Sequence, residues 1–389
     1  METTSLDSSM QSARVTLRQF LGRRAESEDG IARLSVESQA ALRQFSLERL
    51  MGYGLAYADV SELRARVLEG EAWEAAATGL AEIALKQANA ASTGPAQPTR
   101  ILYLRRASAL LRMSQMMMLV DTRERRRIFA RAATIYGEVA KLRSDRQRIL
   151  VETDSRPLVG CLIPARGGGV ASAIVIGGVE GWAMDFDCMG EALAARGIDA
   201  LMLDGPGQGE SRFDHNHYLS VRWSDAYRSA IDFLERRTAG HRIGFIGNSI
   251  GGSFAMAMAS IDKRVSACVC NGGVIKPTLA RGNTTFFAKM VAACGTNNEE
   301  EALAAWGAVD PIAPTSGRGY PLLIVHGGKD PMIPMAASEM LLAAAPTDDK
   351  EMVVFSDGDH CIYNHRDDRD ALIADWVRSR LAGDVLCRS

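Results

Sequence analysis

Residues 242–252 read Arg-Ile-Gly-Phe-Ile-Gly-Asn-Ser-Ile-Gly-Gly. The apolar run 243–246 predicts a buried strand, and residues 253–259 predict a helix soon after it. Between them stands Gly-x-Ser-x-Gly with Ser249 at its centre, which is the context of a nucleophile elbow, a strained turn that exposes a serine hydroxyl. A Cβ at Gly247 or Gly251 would crowd such a turn. Because the motif alone is common by chance, its interpretation depends on partners further along the chain.

The composition describes an ordinary globular protein. The 389 residues are 47% hydrophobic and 24% charged, with a formal net charge of −2, so neither nucleic acid nor an anionic membrane is an expected partner. No apolar run approaches the roughly 20 residues that a membrane span needs. The polar residues 1–5 lack the basic-then-apolar order of a secretion signal. We therefore expect a cytoplasmic protein with reduced thiols.

Neither a metal nor a cofactor is expected. The seven cysteines are odd in number and scattered, so they predict neither a disulfide framework nor a zinc site. His215 and His217 resemble a metal pair, but the sequence offers no third ligand. The glycine-rich segment 204–211 departs from the dinucleotide-binding pattern, because position 210, where the third glycine should stand, is Glu210.

The chain divides into two regions of different pattern. Residues 1–146 show helical periodicity without strand-like runs, broken at 91–98 by residues that favour turns, and Asp121-Thr122 is a candidate helix cap. From 147 onward apolar runs alternate with helical stretches, after a hairpin at 148–153 and 158–164. The pattern predicts an α/β fold, a mostly parallel sheet with helices on both faces. We expect a helical cap domain at 1–146 and a catalytic domain at 147–389, with 271–314 as a second lid segment.

Two downstream segments supply partners for Ser249. Asp330 follows the predicted strand 322–325, and His360 follows the predicted strand 351–355. The order Ser249, Asp330, His360 is that of a catalytic triad on this kind of sheet. Asp357 and Asp359 compete for the role of the acid, but the order along the chain favours Asp330.

Other residues after strand ends are candidates for binding. The backbone N–H groups of Val179 and Ile250 are expected to form an oxyanion hole. Candidate substrate contacts are Glu180, Trp182, Tyr218, Trp223 and Phe287, although core packing also explains several of these side chains.

These motifs resemble a known family. The region from 147 onward looks like an α/β-hydrolase. The segments Gly-Gly-Val-Glu (177–180), Asp-Gly-Pro-Gly-Gln-Gly-Glu (204–210) and Gly-Asn-Ser-Ile-Gly-Gly (247–252), after a helical first part, are similar to the FrsA-like hydrolases. That group includes the dihydroxypseudooxynicotine C–C hydrolase and fungal polyketide-shortening hydrolases. The resemblance implies an α/β-hydrolase fold with an N-terminal helical cap, a possible homodimer, and cleavage of a carbon–carbon bond next to a carbonyl.

The sequence therefore predicts a serine hydrolase that acts on a small acyl-aromatic or polyketide-like ketone. Glu180 or His360 would protonate the leaving carbon. The alternative enzymatic function is that of a carboxylesterase or lactonase with the same triad. A non-catalytic binding protein on a hydrolase scaffold is the alternative of another class, and the complete Ser/Asp/His order argues against it.

Overall fold

The N-terminal part of the chain is built mainly of helices. The computed structural model describes residues 14–18, 31–92, 96–238, 240–282, 284–312 and 319–382. A short strand, β1 (Arg14–Arg18), comes first. The helices described after it are α1 (Val36–Gln44), α2 (Leu47–Gly52), α3 (Tyr57–Leu68), α4 (Trp73–Ala90), α5 (Gln97–Ser114) and α6 (Arg123–Arg143).

The local sequence accounts for these helices. Helix α4 buries a stripe of residues three and four positions apart, mostly alanines, which allows the neighbouring helix α5 to approach closely. The indole N–H of Trp73 donates to the carbonyl of Met113 at 2.9 Å and ties α4 to the end of α5. Helix α6 begins after Thr122, whose hydroxyl accepts from the N–H of Arg125 at 3.1 Å, so the predicted cap is confirmed.

Strand β1 corrects one prediction. The sequence indicates no strand before residue 147, yet residues 14–18 pair in parallel with a strand at 350–355. The segment Arg-Val-Thr-Leu-Arg is short, and Leu17 is exposed, so no local pattern identifies it as a strand. Its conformation depends on a free sheet edge that the end of the chain supplies.

The rest of the chain forms the predicted sheet. Its strands are β2 (Gln147–Val151), β3 (Leu158–Ile163), β4 (Ala171–Ile176), β5 (Ile198–Asp204), β6 (Arg242–Asn248), β7 (Val265–Asn271), β8 (Leu322–Gly327) and β9 (Lys350–Phe355). The order across the sheet is β1-β9-β8-β7-β6-β4-β5-β3-β2. Strand β3 is antiparallel to β2 and β5, and the other pairs are parallel. The predicted hairpin and mostly parallel sheet are confirmed.

Helices cover both faces of this sheet. They are α7 (Asp187–Ala194), α8 (Gly209–Phe213), α9 (Trp223–Arg237), α10 (Ile250–Ile261), α11 (Thr284–Ala293), α12 (Glu299–Gly307), α13 (Met335–Ala344) and α14 (Arg366–Leu381). Adjacent residues of β4 face opposite cores: Ile174 packs with the cluster of α9, α10 and α13, and Val175 with that of α7, α14 and the N-terminal helices. Among the helices that the structure describes, none has the length and apolarity required to cross a bilayer.

Phe129 joins helix α6 to the sheet region and provides a test of this packing. Its ring is fully buried, with centroids 4.9 Å from Trp182 and 4.8 Å from Phe213. We expect Phe129→Ala to lower the free energy of unfolding by about 3–5 kcal/mol, because it leaves a cavity between the helix and the loop after β4. Urea unfolding measures the change. Leu102→Ala, at a position 52% exposed, is the control and should change stability by about 0.5 kcal/mol or less.

Candidate active site

Ser249 lies on a strained turn between β6 and α10. Its backbone has φ 57° and ψ −133°, a region that non-glycine residues rarely adopt. A Cβ at Gly247 would lie 1.9 Å from the carbonyl oxygen of Gly251, and one at Gly251 would lie 2.4 Å from that of Gly177. The turn therefore requires glycine on both sides of the serine, for the steric reason that the sequence suggests.

Three side chains from separate strand ends meet at this turn. The Nε2 atom of His360 lies 2.8 Å from the Oγ of Ser249, and its Nδ1 lies 2.7 Å from Oδ2 of Asp330. With the proton on Nδ1, the imidazole donates to Asp330 and accepts from the Ser249 hydroxyl. The other carboxylate oxygen of Asp330 accepts from the N–H groups of Met332 and Ile333 at 2.8 and 3.0 Å. The aspartate is thus held from both sides.

The electrostatics of the pair follow from this geometry. Burial alone would raise the pKa of Asp330, but the His360 ring and the two backbone N–H groups lower it below its ordinary value. Burial alone would lower the pKa of His360, but its neighbours Cys361 and Asp330 outweigh burial and raise it. Each member of the pair favours the charged form of the other.

The competing carboxylates have other partners. Oδ1 of Asp357 lies 2.9 Å from Nε2 of His365. Oδ1 of Asp359 accepts from the N–H of Tyr363 at 2.6 Å and caps the turn after His360. Asp330 is therefore the carboxylate that the structure places against His360.

The turn that carries His360 is itself strained. Cys361 and Ile362 have φ values of 60° and 56°, which cost about 1–3 kcal/mol each for residues that are not glycine. The carbonyl of Cys361 accepts from Nη1 of Arg369 at 2.8 Å and from Nδ2 of Asn271 at 3.1 Å. Sequence reasoning missed Arg369 and Asn271, because nothing in the local pattern relates them to the histidine.

The loop after β4 passes directly beside the Ser249 hydroxyl. A Cβ at Gly178 would lie 3.3 Å from Oγ of Ser249. Ile250 is the first residue of α10, so its N–H has no acceptor within the helix, and Val179 lines the same cavity as Ser249. These positions suit the oxyanion hole that the sequence predicts for Val179 and Ile250.

Gln208 supports this loop. Its Nε2 donates to the carbonyls of Gly177 and Gly178 at 2.9 and 2.6 Å, and its Oε1 accepts from the N–H of Gly205 at 2.9 Å. The segment 204–211 therefore supports the loop after β4 through Gln208 and does not act as a phosphate-binding loop. The glycine-rich segment stands out in the sequence, but no local pattern shows that Gln208 supports the loop after β4.

A cavity of about 600 Å³ opens above Ser249 and His360. Helices α1 and α2, the loop after β4 and helix α11 all contribute to its lining. Of the five candidate substrate contacts, Glu180 lines this cavity and the other four do not. Trp182 and Trp223 are packed in the core, and Tyr218 and Phe287 line a second cavity of about 570 Å³. The sequence selects these aromatic residues because they lie in loops or lid segments near strand ends, and that position does not determine which way a ring points.

Glu180 is held as a carboxylate. It forms ion pairs with Arg125 and, at 2.6 Å, with Nζ of Lys289, and all three side chains are buried. Burial would raise the pKa of Glu180, but Lys289 and Arg125 lower it to about 2. A group this acidic holds no proton near neutral pH, which counts against the expectation that Glu180 protonates a leaving carbon.

His215 and His217 do not assemble into a metal centre. Within the described ranges, no three His, Cys, Asp or Glu side chains are grouped so as to hold a metal ion.

The sequence of this chain is similar to those of known hydrolases. Residues 191–383 match the model of the prolyl oligopeptidase family. The chain is 28% identical to the 2,6-dihydropseudooxynicotine hydrolase of Paenarthrobacter nicotinovorans over 261 residues, 64% of this chain and 68% of that protein.

Solved structures cover more of the chain. The crystal structure of the 2,6-dihydroxy-pseudo-oxynicotine hydrolase matches 87% of this chain and 96% of its own, with a TM-score of 0.75 and 25% identity. AbyA5 matches 76% of this chain and 88% of its own, with a TM-score of 0.60 and 16% identity. The predicted α/β-hydrolase fold with an N-terminal helical part, and the resemblance to these proteins, are confirmed.

The contact between Asp330 and His360 predicts how activity depends on pH. A base must be neutral to act, so activity should rise with pH through the raised pKa of His360. We expect Asp330→Asn to lower kcat/KM for a p-nitrophenyl ester about 10⁴-fold. The acidic limb of the pH profile should also move to lower pH, because the anion that raises the pKa of His360 is lost.

Asp357→Asn is the matched control, since its carboxylate faces His365. The acidic limb of the pH profile of that variant should stay where it is in the wild type. An unchanged acidic limb in Asp330→Asn would show that Asp330 does not raise the pKa of His360.

Proposed function

We propose that this chain, a hydrolase with the α/β-hydrolase fold, cleaves a carbon–carbon bond next to a carbonyl in an acyl-aromatic or polyketide-like ketone. The observation that carries the proposal is the 2.8 Å contact between Oγ of Ser249 and Nε2 of His360 in the wall of a cavity of about 600 Å³. The choice of a carbon–carbon bond rests on the relatives named as pseudooxynicotine hydrolases.

The first half of the reaction forms an acyl-enzyme. His360, oriented by Asp330, takes the proton of the Ser249 hydroxyl as its oxygen attacks the substrate carbonyl. The N–H groups of Val179 and Ile250 stabilise the negative charge on the tetrahedral oxygen. When the carbon–carbon bond breaks, its electron pair stays on the leaving carbon, and the protonated His360 returns the proton to that carbon.

The second half regenerates the enzyme. Water attacks the acyl group with His360 as base, the proton passes to Ser249, and a carboxylic acid leaves. Because Glu180 is ionised, His360 is the proton donor in this proposal. Glu180 instead holds Lys289 and Arg125 beside the oxyanion loop.

The cavity lining suits a flat substrate. Apolar and aromatic side chains form much of it, namely Met116, Phe286, Met332, Tyr53 and Tyr363. These residues replace Trp182, Tyr218, Trp223 and Phe287 as proposed contacts.

The helical region and the inserted segment are proposed to act as lids over this cavity. Helices α1 and α2 close it from one direction, and helix α11, within 271–314, closes it from another. Water is thereby limited around the reacting carbonyl, which strengthens the electrostatic contacts there. Since β1 belongs to the sheet, the proposed cap within 1–146 starts after that strand.

Replacement of Ser249 tests the proposal. A screen of acylated aromatic and polyketide-like ketones, including aryl 1,3-diketones followed by loss of enol absorbance, should yield a substrate. We expect Ser249→Ala to lose about 10⁴–10⁶-fold in kcat on that substrate and to lose labelling by a fluorophosphonate.

Ser220→Ala, at an exposed position outside the cavity lining, is the control and should keep both properties. Turnover of p-nitrophenyl esters does not separate the bond types, because C–C hydrolases often share that activity. An enzyme that hydrolyses esters or lactones through Ser249 but leaves every diketone intact would be the alternative carboxylesterase or lactonase.

A further inference from the structure

The cavity contains a guanidinium, that of Arg49, which forms no ion pair with a carboxylate among the residues that the structure describes. Arg49, on α2, lines the same cavity as Ser249 and His360. Its Nη1 donates to the carbonyl of Gln44 at 3.1 Å and its Nη2 to the hydroxyl of Tyr53 at 3.2 Å. Its Nε is buried and has no hydrogen-bond partner, and no carboxylate pairs with Arg49 in the part of the chain that the structure describes. Arg49 as a whole is half-buried, and a cation with reduced access to water and no counter-ion is costly.

Aromatic rings hold this guanidinium in place. Its Cζ lies 5.4 Å from the ring centroid of Phe45, 5.7 Å from that of Tyr53 and 5.9 Å from that of Tyr363. Ring faces attract a cation without neutralising it. The charge of Arg49 is therefore fixed in position and remains available to an anion.

The other charged groups of the lining do not form an ion pair with Arg49. Glu180 is shared between Lys289 and Arg125. Oδ1 of Asp359 accepts from the N–H groups of Tyr363 and Asn364. Burial raises the pKa of Asp359, although these N–H groups and the charge of Arg49 act to lower it. The remaining charged side chains at the mouth are the exposed Arg43 and Lys329. The lining is thus positive on the side where Arg49 lies.

We infer that the substrate carries an anion with two coplanar oxygens, either a carboxylate or the enolate of a 1,3-dicarbonyl, and that Arg49 binds it. The planar fork of an arginine matches such a pair of oxygens in a bidentate way. The reaction of this substrate rests on the proposed function above, but the anion subsite does not. A neutral ketone of the same shape would leave the half-buried guanidinium without a counter-ion.

The subsite is tested by binding to protein that carries Ser249→Ala, so that chemistry plays no part. The probes are 2-naphthoate and the neutral 2-naphthamide, compared by isothermal titration calorimetry at low salt. We expect naphthoate to bind at least about tenfold more tightly, because a hydrogen-bonded ion pair in a partly desolvated site exceeds a neutral contact by about 1.4 kcal/mol. Added salt should reduce the preference.

Variants at position 49 test whether Arg49 causes the preference for naphthoate over naphthamide. Arg49→Met in the Ser249→Ala background should bind both probes alike, and Arg49→Lys should keep part of the preference, because it retains the charge without the fork. Arg33→Met removes an exposed cation of the same region outside the cavity and should keep the full preference. Thermal melting confirms that each variant is folded.

Equal affinities for the two probes in Ser249→Ala protein would overturn the inference, and this result does not depend on how Arg49→Met folds. A preference that persists in a folded Arg49→Met variant would also overturn it. If only the proposed function is wrong, the result differs: a protein that cleaves no ketone would still bind naphthoate more tightly than naphthamide.

Discussion

The backbone of Ser249 is the constraint on which the site depends. A positive φ at a serine is unfavourable, and it persists because neighbouring elements leave the turn no alternative. Gly247 and Gly251 allow the strand, the turn and the loop after β4 to touch through their backbones. The same contact brings Gly178 against the serine side chain. The steric fit that strains the backbone of Ser249 therefore also places the loop after β4 beside its hydroxyl.

Buried ion pairs connect the N-terminal helices to that loop. Arg112 of α5 pairs with Asp185 at 2.8 Å, and Arg125 of α6 pairs with Glu180, with all four side chains nearly inaccessible. Burying such pairs adds little net stability, because desolvation offsets the attraction. Their geometry is directional, however, so they fix the register between helices and sheet. The helical region thereby contributes to the shape of the cavity and, through Arg125 together with Lys289 of α11, to the low pKa of Glu180.

Much of the fold and part of the site follow from local sequence patterns. The alternation of apolar runs and helical stretches predicts the parallel sheet, and the order of Ser249, Asp330 and His360 predicts which strand ends matter. Strand β1 could not be predicted, because a five-residue polar segment becomes a strand only when a neighbour offers free backbone groups. The aromatic substrate contacts failed for a related reason: Trp182 and Tyr218 follow strand ends, but their rings turn into packing and into a second cavity.

What the sequence determined by itself was chemistry that is encoded within a few residues. The glycines around Ser249, the residue types of the proposed triad and the helix cap at Thr122 act over distances that a short segment spans. What only the tertiary structure decided was which groups meet: Gln208 under the loop after β4, Arg369 and Asn271 on the strained turn after His360, and Arg49 beside the cavity. Arg369 is 8 positions from Cys361, whereas the contacts of Gln208 with Gly178 and of Asn271 with Cys361 span 30 and 90 positions. Arg49 and Tyr363 are more than 300 positions apart. Their partners are selected by the packing of helices on the sheet, which no local pattern records.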